Sequence, residues 1–333
     1  MTTAGPLVDS FGRAHSDLRI SVTDRCNLRC RYCMPAEGVP FRRHEEILSF
    51  EEIERFVRVA AGMGIRQVRL TGGEPLVRKH VCRLVEKLAA IEGVEDLAMT
   101  TNGILLGRYA EELKRAGLDR LNVSLDTLDR EKFARLSRCD ELPRVLEGIA
   151  AARRAGFRDI KLNALAIRGQ IEEDVAPLAR FAREQDLQLR FIEFMPLDGD
   201  CRWSDAQVLP GEEILEILAA AIGPLDAVEE NGAHAPASEY RFLDGRGRVG
   251  VISGVSKPFC SRCSRLRLSA EGKVHNCLFS NHGWDIRALL RRGASDAELA
   301  GLIRQAVAAK TEARGSGDGS FPRPARTMHQ IGG

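Results

Sequence analysis

Short apolar runs alternate with longer amphipathic segments between residues 18 and 192. The runs are rich in Leu, Ile and Val with single polar residues between them, which is typical of β-strands. The predicted strands are Leu18–Val22, Val68–Thr71, Asp96–Thr100, Arg120–Leu125, Ile160–Leu165 and Leu187–Ile192. Strands that alternate with helices predict an α/β fold with a parallel sheet and right-handed crossovers.

The segments between the strands have the spacing and the end signals of helices. Ser49 is followed three residues later by Glu52, which is a capping-box signature, and Gly62 follows the apolar pattern at its end. Gly117 and Gly156 follow two further helical segments in the same way. Six strand–helix units fall short of the eight in a closed (β/α)8 barrel.

The alternation stops near residue 200, which suggests three parts. We predict a partial barrel over 11–200, a C-terminal α+β region over 201–312, and a flexible tail over 313–333 that begins with a Gly- and Ser-rich run. A chain of 333 residues is long enough to bury a barrel-sized core.

Charge and cysteine usage favour a cytoplasmic enzyme. The net charge of +2 does not indicate nucleic-acid binding. No apolar run reaches the roughly 18 residues of a membrane span, and no signal peptide is recognisable. Six of the nine cysteines form two triads, which leaves Cys82, Cys139 and Cys201 as buried or incidental thiols.

The first triad follows the first predicted strand. Cys26, Cys30 and Cys33 have the spacing C-x3-C-x2-C, with no fourth cysteine nearby. Three thiolates can hold a cubane iron–sulfur cluster and leave one iron open to a ligand, whereas ferredoxin clusters are closed by four. Structural zinc sites also usually close with four ligands, so the spacing favours a cluster.

The second triad lies near the C-terminus. Cys260 and Cys263 form a C-x2-C pair, and Cys277 follows after thirteen residues. Zinc and iron–sulfur are equal alternatives here, because His275 or His282 could complete a Cys3His zinc site.

Polar residues recur where the predicted strands end, which is where barrel enzymes place their chemistry. Gly72 and Gly73 follow the second strand, where a ligand could approach the backbone; a plain tight turn is the alternative. Lys161 lies on the fifth strand, where an inward cation requires an anionic partner. Arg265 and Arg267 stand at alternate positions just after Cys263, where they could bind a polyphosphate. The alternative is a basic edge strand exposed to solvent.

A series of motifs from about residue 11 to the end resembles one enzyme family. In order these are Asp17-Leu-Arg-Ile-Ser-Val-Thr-Asp-Arg-Cys-Asn27, Leu70-Thr-Gly-Gly-Glu-Pro75, Thr100-Thr-Asn-Gly103, Asn122-Val-Ser-Leu-Asp126, Arg190-Phe-Ile-Glu-Phe-Met195, the second triad, and Gly332-Gly333. The chain thereby resembles the GTP 3′,8-cyclases, radical S-adenosylmethionine (SAM) enzymes of molybdenum cofactor biosynthesis.

The resemblance implies a fold and a reaction. The expected fold is an open (β/α)6 radical SAM barrel with a C-terminal α+β extension that carries a second [4Fe–4S] cluster. The first cluster binds SAM and cleaves it to a 5′-deoxyadenosyl radical. That radical abstracts H3′ of GTP, and the C3′ radical attacks C8 to give (8S)-3′,8-cyclo-7,8-dihydro-GTP. The guanine base binds the open iron of the second cluster.

The resemblance also assigns residues. The metal ligands are Cys26, Cys30, Cys33, Cys260, Cys263 and Cys277. SAM is contacted by Tyr32, Gly73, Ser124 and Met195. GTP is contacted by Arg19, Arg69, Thr100, Lys161, Arg190, Arg265, Leu266 and Arg267. The tail reaches the active site, and its catalytic residues are Arg323, Arg326, Gly332 and Gly333.

The expected partners follow from this resemblance. They are GTP, a reductant such as flavodoxin or ferredoxin, and the downstream cyclic pyranopterin monophosphate synthase, with a homodimer as a candidate assembly and neither membrane nor nucleic acid. Two alternatives remain open at this stage. One is a different radical SAM enzyme with an auxiliary cluster, such as a peptide-modifying maturase. The other is a nonenzymatic protein with a zinc site at the second triad.

Overall fold

The computed structural model describes residues 5–228, 235–312 and 323–331. A twelve-stranded sheet runs through these ranges. Its strands are β1 (Asp17–Ser21), β2 (Gln67–Thr71), β3 (Asp96–Thr101), β4 (Arg120–Ser124), β5 (Ile160–Ala166), β6 (Gln188–Glu193), β7 (Leu225–Ala227), β8 (Ser238–Phe242), β9 (Arg248–Ile252), β10 (Arg265–Leu268), β11 (Lys273–His275) and β12 (Trp284–Asp285). The six predicted strands are confirmed as β1 to β6.

Helices connect the first six strands and continue into the C-terminal region. They are α1 (Phe50–Ala61), α2 (Val81–Ala89), α3 (Leu106–Arg115), α4 (Arg130–Ser137), α5 (Leu142–Arg154), α6 (Glu172–Glu184), α7 (Gly211–Ala221), α8 (Ile286–Arg291), α9 (Asp296–Ala308) and α10 (Met328–Ile331). Among the described helices, none is both long enough and apolar enough to cross a membrane.

The sheet is open and mostly parallel. Its order is β12-β11-β10-β1-β2-β3-β4-β5-β6-β9-β8-β7, in which the eight strands from β10 to β9 are parallel and the outer strands are antiparallel. In the described ranges β9 and β10 pair with opposite edges of the β1–β6 core and not with each other. The predicted α/β fold with an open partial barrel is therefore confirmed.

The C-terminal region continues this sheet at both edges, which the sequence did not predict. Strand β10 lies beside β1, with Arg267 opposite Arg19, and β9 lies beside β6, with Gly250 opposite Arg190. The second triad is thereby brought next to the strand that precedes the first one.

Helix α1 begins at its predicted capping box. The Glu52 amide donates to the Ser49 hydroxyl at 3.1 Å, and the Ser49 amide donates to the Glu52 carboxylate at 2.7 Å. The predicted apolar face is buried, with Ile53, Phe56, Val57 and Ala60 in the core. Since both end groups are satisfied and one face is buried, local sequence and packing favour the same helix.

Each central strand has two unlike faces. On β1, Leu18 and Ile20 are fully buried in the apolar core, while Arg19 between them borders an internal cavity. Because side chains alternate along a strand, the neighbouring strands continue this division. Polar residues predicted from the sequence thus collect on the cavity face of the sheet.

Candidate active site

The first triad lies on the loop that follows β1. Within it, the backbone amides of Cys33 and Met34 both donate to the Cys30 carbonyl at 2.9 Å, which closes a tight turn. All three cysteines border one cavity at the carboxyl ends of the strands. Two N–H groups approach the Cys26 sulfur, the Leu28 amide at 3.4 Å and the Asn102 side chain at 3.9 Å. Three thiols on one cavity wall, with donors near a sulfur, fit an iron–sulfur cluster.

Burial controls the protonation of these thiols. It raises the pKa of Cys26 to about 11 and that of Cys33 to about 12, and it raises the pKa of Cys30 well above its usual value. Thiolates are the form that ligates metal, so loading a cluster here must release protons.

The glycine pair after β2 packs against the cysteine loop. A Cβ atom on Gly73 would lie 2.3 Å from the Arg25 carbonyl oxygen, and one on Gly72 would lie 2.5 Å from that of Thr23. The Gly73 amide donates to the Thr23 carbonyl at 2.8 Å. Glycine is therefore required at both positions because the cysteine loop leaves no room for a side chain. The Gly73 amide already has a protein partner. A SAM contact through Gly73 stays a prediction.

Glu74 joins the same loop to the end of β3. Its buried carboxylate accepts from the Leu76 amide at 3.1 Å, the Thr101 hydroxyl at 2.7 Å and the Asn102 amide at 2.7 Å. Burial raises the pKa of Glu74 to about 7, although these hydrogen bonds oppose the shift. Glu74 thus orders the wall of the cavity that holds the first triad.

A larger cavity of about 250 Å³ adjoins the first. Tyr32, Thr100 and Ser124 border both cavities, whereas Met195 borders the larger one. The Tyr32 hydroxyl donates to Asp126 at 2.6 Å, and Asp126 also accepts from the Leu165 amide at 2.8 Å. Sequence reasoning named Asp126 only as the last residue of a motif at the end of a strand and gave it no role in the site.

The larger cavity has a basic wall. Arg19, Arg265 and Arg267 border it, and the register of β10, β1 and β2 aligns Arg267, Arg19 and Arg69. Burial, then the neighbouring guanidinium groups, lowers the pKa of Arg19, and burial lowers the pKa of Arg69 although Asp17 opposes the shift. Burial likewise lowers the pKa of Arg267 to about 10. Cations crowded together in this way favour an anionic ligand.

Several of these guanidinium groups retain unused donors. In the described part of the chain, the buried Nε atoms of Arg19, Arg69 and Arg190 and Nη2 of Arg265 have no hydrogen-bond partner. An unsatisfied buried donor costs on the order of 1–3 kcal/mol, and more when it is charged. A polyphosphate would supply the missing acceptors and charge.

Three predicted substrate contacts lie outside the lining of the cavity. Lys161 Nζ lies 3.4 Å from the Asp159 carboxylate, and burial lowers the pKa of Lys161 to about 8. Arg190 donates to Glu239 at 3.0 Å. Neither of these residues nor Arg69 borders either cavity. They share the basic face, but a ligand must reach deeper to contact them.

Leu266 lies between the two cavity arginines on β10. It is buried in the apolar core, on the face opposite to Arg265 and Arg267. Only its backbone can therefore approach a ligand in the cavity.

The second triad borders the larger cavity with all three thiols. Burial raises the pKa of Cys263, but the charges and hydrogen bonds of Arg265 and Lys310 outweigh it and bring the pKa to about 7. Of the two histidines proposed as a fourth zinc ligand, His275 is already engaged: both ring nitrogens contact Arg326, and Nδ1 also lies 2.8 Å from the His282 carbonyl. Neither His275 nor His282 borders the cavity of the second triad. The donor set that remains is three thiols beside cations, which fits a second cluster.

The C-terminal segment lies between the two triads. Met328 borders both cavities and His329 the smaller one. The Cys33 thiol is hydrogen-bonded to the backbone of His329, and Arg267 donates to the Ile331 carbonyl at 3.5 Å. Met328 and Ile331 pack on a small apolar cluster with Leu197 and Phe279. The described end of the chain therefore reaches both halves of the site.

Of the four catalytic residues predicted in the tail, the structure describes two, Arg323 and Arg326. Arg323 donates to Asp198 at 2.9 Å, and Arg326 contacts His275 and the Ser280 carbonyl. These contacts anchor the segment, and a catalytic role for either arginine stays a prediction. Gly332 and Gly333, like the glycine- and serine-rich run before Arg323, lie outside the described residues.

Comparisons with known proteins agree along the whole chain. The profile of the radical SAM superfamily matches residues 20–182, and the profile described as Molybdenum Cofactor Synthesis C matches residues 187–315. A GTP 3′,8-cyclase from Rhodopirellula baltica is 48% identical over 336 residues, which cover 100% of this chain and 94% of the relative. The GTP 3′,8-cyclase of Moorella thermoacetica is 47% identical over 325 residues, which cover 98% and 99%.

A solved structure supports the fold. The crystal structure of Streptococcus suis SuiB bound to S-adenosylmethionine aligns with a TM-score of 0.62, over 88% of this chain and 68% of that one. Its sequence identity is 16%, so the likeness bears on the fold alone.

Proposed function

Since this chain belongs to the GTP 3′,8-cyclase family of radical SAM enzymes, we propose that it converts GTP to (8S)-3′,8-cyclo-7,8-dihydro-GTP, the first step of molybdenum cofactor biosynthesis. The observation that carries this proposal is the pair of adjoining cavities, each bordered by one cysteine triad. One site for a radical source and one for an anionic substrate then lie side by side, as the transfer of a hydrogen atom from the substrate to the radical requires.

The first cavity would hold a [4Fe–4S] cluster on Cys26, Cys30 and Cys33 together with SAM. We assign the SAM contacts to Tyr32, Gly73, Ser124 and Met195. When bound, the cluster and SAM would supply a 5′-deoxyadenosyl radical, which would take H3′ from GTP and become 5′-deoxyadenosine. C3′ would then bond to C8, and one electron from the reductant and one proton would complete the 7,8-dihydro product. The protein's part is to orient these groups and exclude water. The Tyr32–Asp126 bond fixes the ring between the two cavities.

The second cavity would hold another [4Fe–4S] cluster, on Cys260, Cys263 and Cys277, together with GTP. The triphosphate would meet Arg19, Arg265 and Arg267 at the cavity wall and Arg69, Lys161 and Arg190 deeper on the same face. Thr100 and the backbone of Leu266 complete the proposed contacts. The buried guanidinium donors that have no hydrogen-bond partner support placing the triphosphate at the basic face, because a triphosphate offers both negative charge and acceptors.

The direct test is anaerobic incubation of the reconstituted protein with SAM, GTP and a reductant. We expect a nucleotide product whose mass and NMR spectrum identify a bond between C3′ and C8, together with 5′-deoxyadenosine. Flavodoxin or ferredoxin is the proposed natural reductant, and the product would pass to cyclic pyranopterin monophosphate synthase. A preparation with about eight irons per chain that forms 5′-deoxyadenosine but no cyclised nucleotide would contradict the assignment.

Substitutions on the basic face should weaken GTP binding. Each lost charge-assisted contact in Arg265→Ala, Arg267→Ala or Lys161→Ala is worth about 1.5–3 kcal/mol, so affinity should fall roughly 10- to 150-fold. Titration of the SAM-loaded protein with GTP measures the effect. Arg241→Ala, which removes an exposed arginine on β8, is the matched control. If all three variants bound GTP with wild-type affinity, the proposal that the triphosphate binds to the basic face would be contradicted.

The chain terminus should affect coupling more than binding. We predict that Gly332→Ala with Gly333→Ala, or a C-terminal tag, lowers the yield of cyclised product per 5′-deoxyadenosine. The support is that Met328 borders both cavities and that the Ile331 carbonyl, in the last described residue, accepts a hydrogen bond from Arg267 of the basic wall. Iron content and GTP affinity should stay near wild type, and an N-terminal tag is the control. Equal product yield from the C-terminally tagged protein would contradict this role.

A further inference from the structure

A buried lysine contacts the second triad, and the proposed reaction gives it no role. Lys310 follows α9 and is only 6% exposed. Its ammonium group donates to the Cys263 carbonyl at 3.1 Å, to the Cys263 sulfur at 3.4 Å and to the Arg265 carbonyl at 3.1 Å. Lys310 therefore holds both the backbone and the thiol of one proposed cluster ligand.

The donor inventory of Lys310 favours this role over substrate binding. An ammonium group has three hydrogens, and the three acceptors recorded in the described ranges match them. Two of these acceptors are neutral carbonyls. A buried cation is costly unless an anion compensates it, and the Cys263 sulfur becomes anionic when it ligates a metal. The charge of Lys310 thus complements a loaded site.

A second buried cation fixes the same loop from another side. Arg13 donates to the Cys260 carbonyl at 2.7 Å, and its other donors reach the Thr311 carbonyl at 2.8 Å and the Asp9 carboxylate at 2.6 Å. It therefore links the loop of the second triad to the residues that follow Lys310.

The third cysteine segment is joined to the same helix end. Asn276, which precedes Cys277, donates through its side chain to the Ala306 carbonyl of α9 at 2.8 Å. All three cysteine segments of the second triad are consequently tied to residues 306–312. Lys310 is the member of this scaffold that touches a sulfur.

We propose that Lys310 is a positioning residue for the second iron–sulfur cluster: it fixes Cys263 and, through its hydrogen bond to the sulfur, raises the reduction potential of that cluster. Hydrogen bonds and positive charge at the ligand sulfurs stabilise the reduced, more negative cluster. This inference rests on the proposed function, because it requires a cluster on the second triad.

The test compares wild type with Lys310→Met, which keeps length and apolar bulk but removes the charge, and Lys310→Arg, which keeps the charge. Lys87→Met, at a half-buried lysine of α2 that pairs with Glu54 and contacts neither triad, is the matched control. Each holoenzyme is analysed for iron and titrated electrochemically with EPR detection. SAM addition distinguishes the two clusters, because only the first should respond to it.

In Lys310→Met we expect the SAM-insensitive signal to move to a more negative potential or to lose occupancy, while the SAM-sensitive signal is unchanged. Lys310→Arg should keep most of the wild-type potential and occupancy of the SAM-insensitive signal, and Lys87→Met should match wild type. A fully loaded Lys310→Met protein with an unchanged SAM-insensitive potential would overturn the inference. Wild type with only one cluster's iron, or with zinc, would overturn the proposed second cluster instead. An intact SAM-sensitive signal shows that the variant has folded.

Discussion

Alanine at Cys26, Cys30 or Cys33 will abolish the reductive cleavage of SAM. The three thiols lie on one tight loop at the wall of one cavity, and the spacing supplies no fourth cysteine to replace a lost ligand. With two ligands left, the cluster has no stable anchorage, so no electron reaches the sulfonium group. We expect 5′-deoxyadenosine to fall to the background of protein without iron, measured by chromatography under anaerobic reducing conditions.

The chain offers a matched control for this prediction. Cys82 is a buried thiol on α2 that belongs to neither triad. Cys82→Ala should retain iron content and SAM cleavage, apart from a small loss of stability from the cavity it creates. A triad variant that still produced 5′-deoxyadenosine at the wild-type rate would exclude the first triad as the source of the radical.

The barrel strands and the first helix were predictable because their signals are local. β1 to β6 are short runs rich in apolar residues with single polar residues between them, and α1 is defined by a cap whose two partners lie three residues apart. The cysteine triads were recognisable for the same reason, although spacing favoured a cluster at the first and left zinc and iron–sulfur equal at the second. Local signals of this kind do not depend on what the rest of the chain does.

The parts that were missed depend on contacts between distant residues. Strand β10 has four residues, and its pairing with β1 joins positions about 250 apart in the chain, so no local pattern specifies it. Lys310 lies 47 residues from Cys263 and reads in the sequence as one more lysine after a helix. Only burial and the direction of its hydrogen bonds distinguish it from a solvated side chain.

The glycine pair after β2 shows a third kind of limit. Sequence reasoning required a close approach to the backbone at Gly72 and Gly73 and offered a ligand or a plain tight turn as its cause. In the structure the backbone of the cysteine loop makes this approach at both positions. A glycine requirement indicates a close approach without identifying what approaches.

Cys277→Ala should separate SAM cleavage from cyclisation. Cys277 borders the larger cavity, and it is not among the residues that border the cavity of the first triad. The first loop is instead held by the Gly73 and Glu74 amides, which donate to the Thr23 and Arg25 carbonyls at 2.8 Å. The first cluster should therefore assemble in the variant, and some SAM cleavage uncoupled from product should survive.

GTP turnover should respond differently in that variant, because the guanine would lose its proposed anchor on the second cluster while the basic wall still holds the triphosphate. We expect about four irons per chain, weaker GTP binding, and cyclised product reduced at least 100-fold relative to 5′-deoxyadenosine, which corresponds to about 2.7 kcal/mol of lost positioning. Cys201→Ala, which removes an exposed thiol outside both triads, is the matched control. If Cys277→Ala cyclised GTP normally, the second triad would be structural and the guanine would have to be held by other residues of the larger cavity.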